Sequence, residues 1–222
     1  MKSSANDRVE KIVKILDENY PQAHTSLFYK TPHQMLVATI LSAQCRDEMV
    51  NKITPDLFKK YKNVRGFAKA KQAVLEKDIR SLGLYRNKAK NIIAASKKIV
   101  KDFDGSVPDT MENLVSLPGV ARKTANIVLS SVFKKAEGIA VDTHLKRLSK
   151  RLALSKEDNP DKIERDLMKI VPYEYWLNFN YLLVNHGRKI CHPGKPLCSE
   201  CCIKQLCPFS VKFVYEKRSS VV

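Results

Sequence analysis

The two residues best suited to chemistry are Lys123 and Asp142. Lys123 lies in the run Leu117-Pro118-Gly119-Val120-Ala121-Arg122-Lys123-Thr124-Ala125, and Asp142 follows nineteen residues later in Val141-Asp142-Thr143-His144. The first run reads as a tight turn between two helices, with the lysine in the first turn of the second. Backbone N–H groups at a helix start lack intrahelical partners and carry the positive end of the helix dipole, so they can bind a phosphate. Gly119 lets the backbone turn tightly and approach a ligand. An amine attacks carbon only when neutral. A helix start and the adjacent Arg122 both disfavour the charged form of the Lys123 amine, and burial would add to them. Asp142 would bring a carboxylate from elsewhere in the chain. The combination suits chemistry on a DNA sugar. The plainer readings are a solvated lysine, an aspartate that caps a helix, and an ordinary helical hairpin.

A second constellation is Cys191, Cys198, Cys201 and Cys207, spaced C-x6-C-x2-C-x5-C, with Cys202 beside the third and Cys45 remote. A disulfide framework would suit a secreted chain, and nothing here suggests secretion. Four thiolates can hold a structural zinc or an iron–sulfur cluster, and the residues alone favour neither.

The elements that must position these groups read as helices. Apolar residues recur at three and four positions, and period-two alternation is scarce. Val9, Ile12, Val13 and Leu16 predict a first helix ending near Pro21. Leu36, Val37, Ile40 and Leu41 predict a second opening near Pro32. Ala89, Ile92, Ile93, Ser96 and Val100 mark another, ending near Gly105. Ile163, Leu167, Ile170 and Val171 mark one stopped by Pro172. Asp109 with Glu112 has the spacing of a capping box, and Met111, Leu114 and Val115 would form the stripe of the helix it opens. After the Pro118-Gly119 break, Ala125, Val128, Leu129 and Val132 would face inward, with Lys123 and Asn126 opposite. Eight to ten helices are expected.

Composition bounds the partner. The 222 residues carry 40 Lys+Arg against 23 Asp+Glu, a net charge of +17. That surplus favours a polyanion, either nucleic acid or an anionic membrane, over a merely soluble basic chain. No apolar run approaches the roughly 20 residues needed to span a bilayer. The opening MKSSANDRVEKIVKIL is polar and then amphipathic, unlike a signal peptide, so an intracellular location is expected.

The run Leu-Pro-Gly-Val-Ala-Arg-Lys-Thr-Ala-Asn resembles the helix-hairpin-helix of the DNA glycosylases of the endonuclease III family, with Ala121 where the family usually has a second glycine. Val-Asp-Thr-His is similar to the segment supplying that family's catalytic aspartate. The cysteine spacing, with Lys195 in its first loop and His186-Gly187-Arg188 before it, resembles the family's [4Fe–4S] loop. The resemblance runs from the first helix to Cys207. It implies a bifunctional glycosylase and abasic-site lyase: Lys123 attacks C1′ of the deoxyribose, and Asp142 stabilises the cationic sugar. The resulting Schiff base permits β-elimination. It implies extrusion of the target base, with Gln44 and Leu84 entering the duplex and Ser42 and Asp47 near the base pocket. His144 would be structural. Leu117, Gly119, Val120, Ala121, Arg122, Arg188 and Lys195 would meet DNA. Arg80, Arg86, Lys88, Lys146 and Arg147 are further candidates for a basic rim.

The implied fold is all-α and two-lobed. Residues 25–135 would form a six-helix barrel with the hairpin. Residues 1–24 and 136–222 would form a helical iron–sulfur cluster domain, with DNA across the groove between the lobes. The implied partner is double-stranded DNA containing damaged bases, oxidised pyrimidines above all, or abasic sites. The chain is expected to act as a monomer, in the cytoplasm or nucleoid, without a membrane. Two rivals stay open. A monofunctional mismatch glycosylase would lack lysine at the position of Lys123. A noncatalytic helix-hairpin-helix protein with a zinc knuckle would have no use for the lysine–aspartate pair.

Overall fold

The computed structural model describes residues 3–210, so the basic tail over 211–222, assigned above to the cluster domain, lies outside the described residues. The described residues form eleven α-helices, three 3-10 turns and one π-helical turn, with no strand. Two short helices, α4 (Val64–Ala68) and α5 (Gln72–Asp78), are too brief for periodicity to reveal, whereas α7 (Met111–Val115) lies where the capping pattern and apolar stripe placed a helix. No helix among the described residues is long and apolar enough to cross a membrane.

The chain divides into two compact units, Thr25–Glu137 and the pair Met1–His24 with Gly138–Val222, so the second boundary falls two residues beyond the expected one. Each unit has its own core. In the contiguous unit, α2 (Pro32–Ser42) is almost wholly buried from His33 to Leu41 and packs against α3 (Asp47–Lys60), α6 (Tyr85–Asp102) and α8 (Arg122–Val128). Its start is fixed by Thr31, whose hydroxyl accepts from Gln34 N, with Pro32 at the first helical position. Pro costs nothing there because that N–H would be unpaired in any case. In the other unit, α1 (Ser3–Asn19) lays Val9, Ile12, Val13 and Leu16 against α10 (Pro160–Ile170) and α11 (Phe179–Lys189), and α9 (Thr143–Arg151) packs on the same two helices.

Four local expectations are corrected. Thr110, not Asp109, caps α7, its hydroxyl accepting from Asn113 N, while Asp109 pairs with Lys135. Val115 is exposed and leaves the α7 stripe to Met111 and Leu114. Asn126 is buried with Ala125, not on the outer face with Lys123. Lys88 is 4% exposed and belongs to the inner face of α6, so it is no rim residue.

Candidate active site

The hairpin joins α7 to α8 through one left-handed residue, Gly119, at φ 78°. A Cβ on Gly119 would stand 2.7 Å from the Asn91 side chain, so the position excludes a side chain both by angle and by space. Leu117 and Val120 are buried, and the Val120 N–H closes the turn on Leu117 O. Their side chains therefore anchor the turn in the core, and only its backbone can meet a ligand. Ala121 caps α8 at φ −91° and ψ 169°, extended backbone that any residue adopts. Alanine in place of the family's second glycine therefore carries no strain here. Arg122 and Lys123 are exposed at the start of α8. No residue among those described covers the Lys123 side chain. The π-helical turn Leu129–Phe133 follows α8, with Tyr29 Oη donating to Ser131 O at 3.1 Å.

Two loops of the same unit come together beside this framework. Gln44, at the tip between α2 and α3, has φ 52°, and Leu84, at the start of α6, has φ 58°. Both are exposed, Leu84 by 53%. Non-glycine residues in this region are uncommon and cost about 1–3 kcal/mol each, a strain that recurs at functional sites. Ser42 and Asp47 flank Gln44. The Ser42 hydroxyl donates to Thr39 O at 2.9 Å, and Asp47 accepts from Ser26.

In the other unit, Asp142 is the N-cap of α9, its Oδ1 accepting from Leu145 N at 2.8 Å. Capping uses one carboxylate oxygen and fixes the rotamer. His144 Nδ1 lies 3.1 Å from Arg147 Nη2, consistent with a structural role. Arg147 also donates to Gly187 O and Cys191 O. A Cβ on Gly187 would lie 2.7 Å from His144 Nδ1, so at this point of the α11–α9 packing only a glycine fits. Arg151 donates to Cys191 Sγ, His192 O and Pro193 O, and its guanidinium stacks on Phe209. One face of α9 thus holds both ends of the cysteine segment. Arg188 and Lys195 are exposed, on α11 and in the loop after Cys191.

Cys191, Cys198, Cys201 and Cys207 line one cavity together with His186, and all four are free thiols. Cys202 is exposed and outside that lining. Burial pushes the Cys201 thiol up to about 12 and raises Cys198 and Cys207 as well, with neighbouring sulfurs adding to the rise. Four cysteine sulfurs lining one cavity are the donor set of a four-thiolate metal group. The thiols are not drawn into coordination geometry among the described residues. Tyr20, from the far end of the chain, hydrogen-bonds His186 Nδ1 at 2.9 Å, and His186 Nε2 lies 3.5 Å from Cys201 Sγ. Burial holds His186 down to about 4 and Tyr20 up to about 12, so both are neutral.

Residues 37–173 match the model of the HhH-GPD superfamily base excision DNA repair protein. The chain belongs to that family. It is 53% identical to endonuclease III of Synechocystis sp., over 93% of this chain and 94% of that protein. A non-covalent endonuclease III–DNA complex superposes with a TM-score of 0.88 at 38% identity, covering 95% of this chain and 98% of the other. A trapped endonuclease III–DNA covalent intermediate, an estranged-adenine complex, gives 0.85 at 40% identity, covering 91% and 95%. Base excision repair as a DNA glycosylase and abasic-site lyase is accordingly this chain's activity.

Within each unit the expected family residues are brought together: Gln44 with the Gly83-Leu84 loop, and the four cysteines with each other. Sequence reasoning missed Asn91 behind Gly119, Arg151 across the cysteine segment, and Tyr20 beside His186. The first two are polar residues on exposed-looking helix faces, and Tyr20 lies 166 residues from its partner, so no local signal marked them.

Proposed function

We propose that Lys123 is the amine nucleophile of this glycosylase and lyase. Its Nζ attacks C1′ of the damaged deoxynucleotide, the C1′–N bond breaks, and the base leaves with the bonding pair and takes up a proton. The sugar ring opens at O4′ to give an imine between C1′ and Nζ. Loss of a C2′ proton then expels the 3′ phosphate. The observation that carries this reading is the exposed Lys123 one residue inside α8, directly after the Gly119 turn. A relative of 40% identity trapped as a covalent intermediate with DNA supports it. DNA over the α8 start would supply the desolvation that the free protein lacks.

Asp142 stabilises the cationic sugar and assists proton transfer. Its second carboxylate oxygen does this while Oδ1 caps α9. Gln44 and Leu84 fill the space left by the extruded base. Gly119, Ala121 and Arg122, with the backbone of Leu117 and Val120, hold a phosphate, and Arg188 and Lys195 hold others. Ser42 and Asp47 border the base pocket. The substrate is duplex DNA with oxidised pyrimidines or abasic sites, met by a monomer in the cytoplasm or nucleoid. Cys191, Cys198, Cys201 and Cys207 hold a [4Fe–4S] cluster. That group would tie the loop carrying Lys195 to the end of α11 and takes no part in base removal.

Borohydride reduction on abasic duplex tests the central assignment. Wild type should give a covalent protein–DNA product. Lys123→Gln should bind the duplex and give none. Full trapping by that variant would overturn the assignment, and absence of trapping in wild type would favour a glycosylase that removes bases without an imine. A lesion panel in duplex DNA tests the oxidised-pyrimidine preference.

A further inference from the structure

Beside its four sulfurs and apolar packing, the cysteine cavity is lined by three polar side chains, Arg151, Ser210 and His186, and His186, 2% exposed near the end of α11, is its one imidazole. Its two ring nitrogens face different partners. Nδ1 meets Tyr20 Oη at 2.9 Å, and Nε2 meets Cys201 Sγ at 3.5 Å. The rings of Tyr20 and His186 pack edge to face, with centroids 5.9 Å apart, so the phenol is held as well as bonded. Tyr20 enters from the end of α1, and the Lys189 ammonium lies 5.4 Å above its ring.

The tautomer follows from the sulfur. A thiol could donate to Nε2, but a metal-bound thiolate has no proton and can only accept. Once Cys201 is a ligand, Nε2 must carry the hydrogen. Nδ1 of a neutral imidazole is then an acceptor, and Tyr20 Oη–H must be its donor. In the other tautomer Nε2 would turn a lone pair toward the thiolate and stay unpaired. A cation over the ring draws density from the phenol and makes its O–H the better donor.

Resting on the cluster reading above, we propose that His186 is a positioning residue for the iron–sulfur group, fixed by Tyr20 in the Nε2–H form so that it donates a hydrogen bond to the Cys201 sulfur. Reduction adds negative charge that spreads onto the ligating sulfurs. A donor aimed at one of them stabilises the reduced form more than the oxidised form and raises the reduction potential. The arrangement also ties α1 to the cysteine segment through Tyr20. The last helical turn of the N-terminal segment is thereby coupled to the electronics of a group bound near the other end of the chain.

The experiment uses the purified holoprotein and three variants, each checked for iron and sulfide content. His186→Leu removes the donor. Its reduction potential should fall by the equivalent of about a tenfold change in the redox equilibrium, about 59 mV for one electron. Its iron–sulfur stretching bands should move and lose part of their sensitivity to deuterium exchange. His186→Gln restores an N–H near the same place and should recover most of the potential. Tyr20→Phe keeps the ring and loses only the hydroxyl; it should shift the potential in the same direction by less.

Several results would overturn the proposal. An iron-replete His186→Leu with wild-type potential and bands would do so, as would equal shifts in the Leu and Gln variants. If His186→Leu fails to load iron, Tyr20→Phe decides, and an unchanged potential there removes the coupling. A wild-type protein that carries zinc or no cluster under iron-replete anaerobic expression would instead sink the cluster reading, and this proposal with it.

Discussion

The carbonyl oxygen of Gln44 lies 4.0 Å from the place a Cβ would take on Gly83, the residue before Leu84. The two strained, exposed tips at Gln44 and Leu84 are therefore neighbours and form one projecting edge. A left-handed backbone costs an L residue about 1–2 kcal/mol that glycine does not pay. Gln44→Gly should consequently resist denaturant slightly better than wild type while excising a paired lesion more slowly. Urea unfolding and single-turnover excision measured on the same preparation check this. A Gln44→Gly variant that is less stable, or equally active, contradicts the assigned role.

Adjacency of the two tips should also appear as coupling. Gln44→Ala and Leu84→Ala each lower duplex excision, and the double variant should depart from additivity by about 0.5–3 kcal/mol in activation free energy. On single-stranded substrate, where no stack needs filling, both effects should shrink. Strict additivity on duplex would mean that the two residues act at separate places.

Asp142 separates capping from chemistry. Asn retains a capping oxygen, so Asp142→Asn should keep nearly wild-type stability and lose most base excision. Ala loses the bond to Leu145 N and should cost about 1 kcal/mol as well. If the Asn variant excises normally, Asp142 serves the helix alone.

Gly119 and Ala121 differ in a way the folded backbone makes explicit. Gly119→Ala adds a methyl at φ 78° and 2.7 Å from Asn91, and should cost about 1–3 kcal/mol together with most duplex affinity. Ala121→Gly changes an exposed residue at φ −91° and should stay within about 0.5 kcal/mol of wild type. Thermal denaturation and duplex titration of both variants decide.

His33 predicts an acid limb. Burial lowers its pKa to about 4, and its Nε2 lies 3.0 Å from Ser96 Oγ. The folded value is below that of the unfolded chain, so the unfolded state binds the extra proton. The stability from keeping His33 neutral is whole above the ordinary value near 6.5 and is lost as pH falls toward 4. Across that window the loss is on the order of 3 kcal/mol. His33→Leu should lack this component. Urea unfolding at pH 7.5 and pH 4.5 should show a larger drop for wild type than for the variant, and equal drops would remove His33 as the cause.

The helical class was legible because most stripes are regular, as Val9, Ile12, Val13 and Leu16 show. The placement of single polar residues was harder to read. Lys88 was expected at the surface as a long cation, although its spacing to Ile92, Ser96 and Ile99 places it on the inner face of α6. There the periodicity held the answer and residue type misled. Asp109 and Thr110 compete for one cap, and the competition is settled by Lys135, which takes Asp109 from 26 residues away. Lys123, Asp142 and the four cysteines stood out because their spacing is local. Tyr20 and Asn91 did not, because their meaning lies in partners that only the fold brings near.

Unit composition has a consequence for synthesis. The stripe of α1 finds its partners only among residues from Ile139 onward, and the whole of Thr25–Glu137 must be made in between. At 5–20 residues per second that interval is on the order of ten seconds. The contiguous unit can close on itself as it leaves the ribosome. Helix α1 is separated from its partners by the whole of that unit, so it is made before it and docks after it, its apolar stripe uncovered in the meantime.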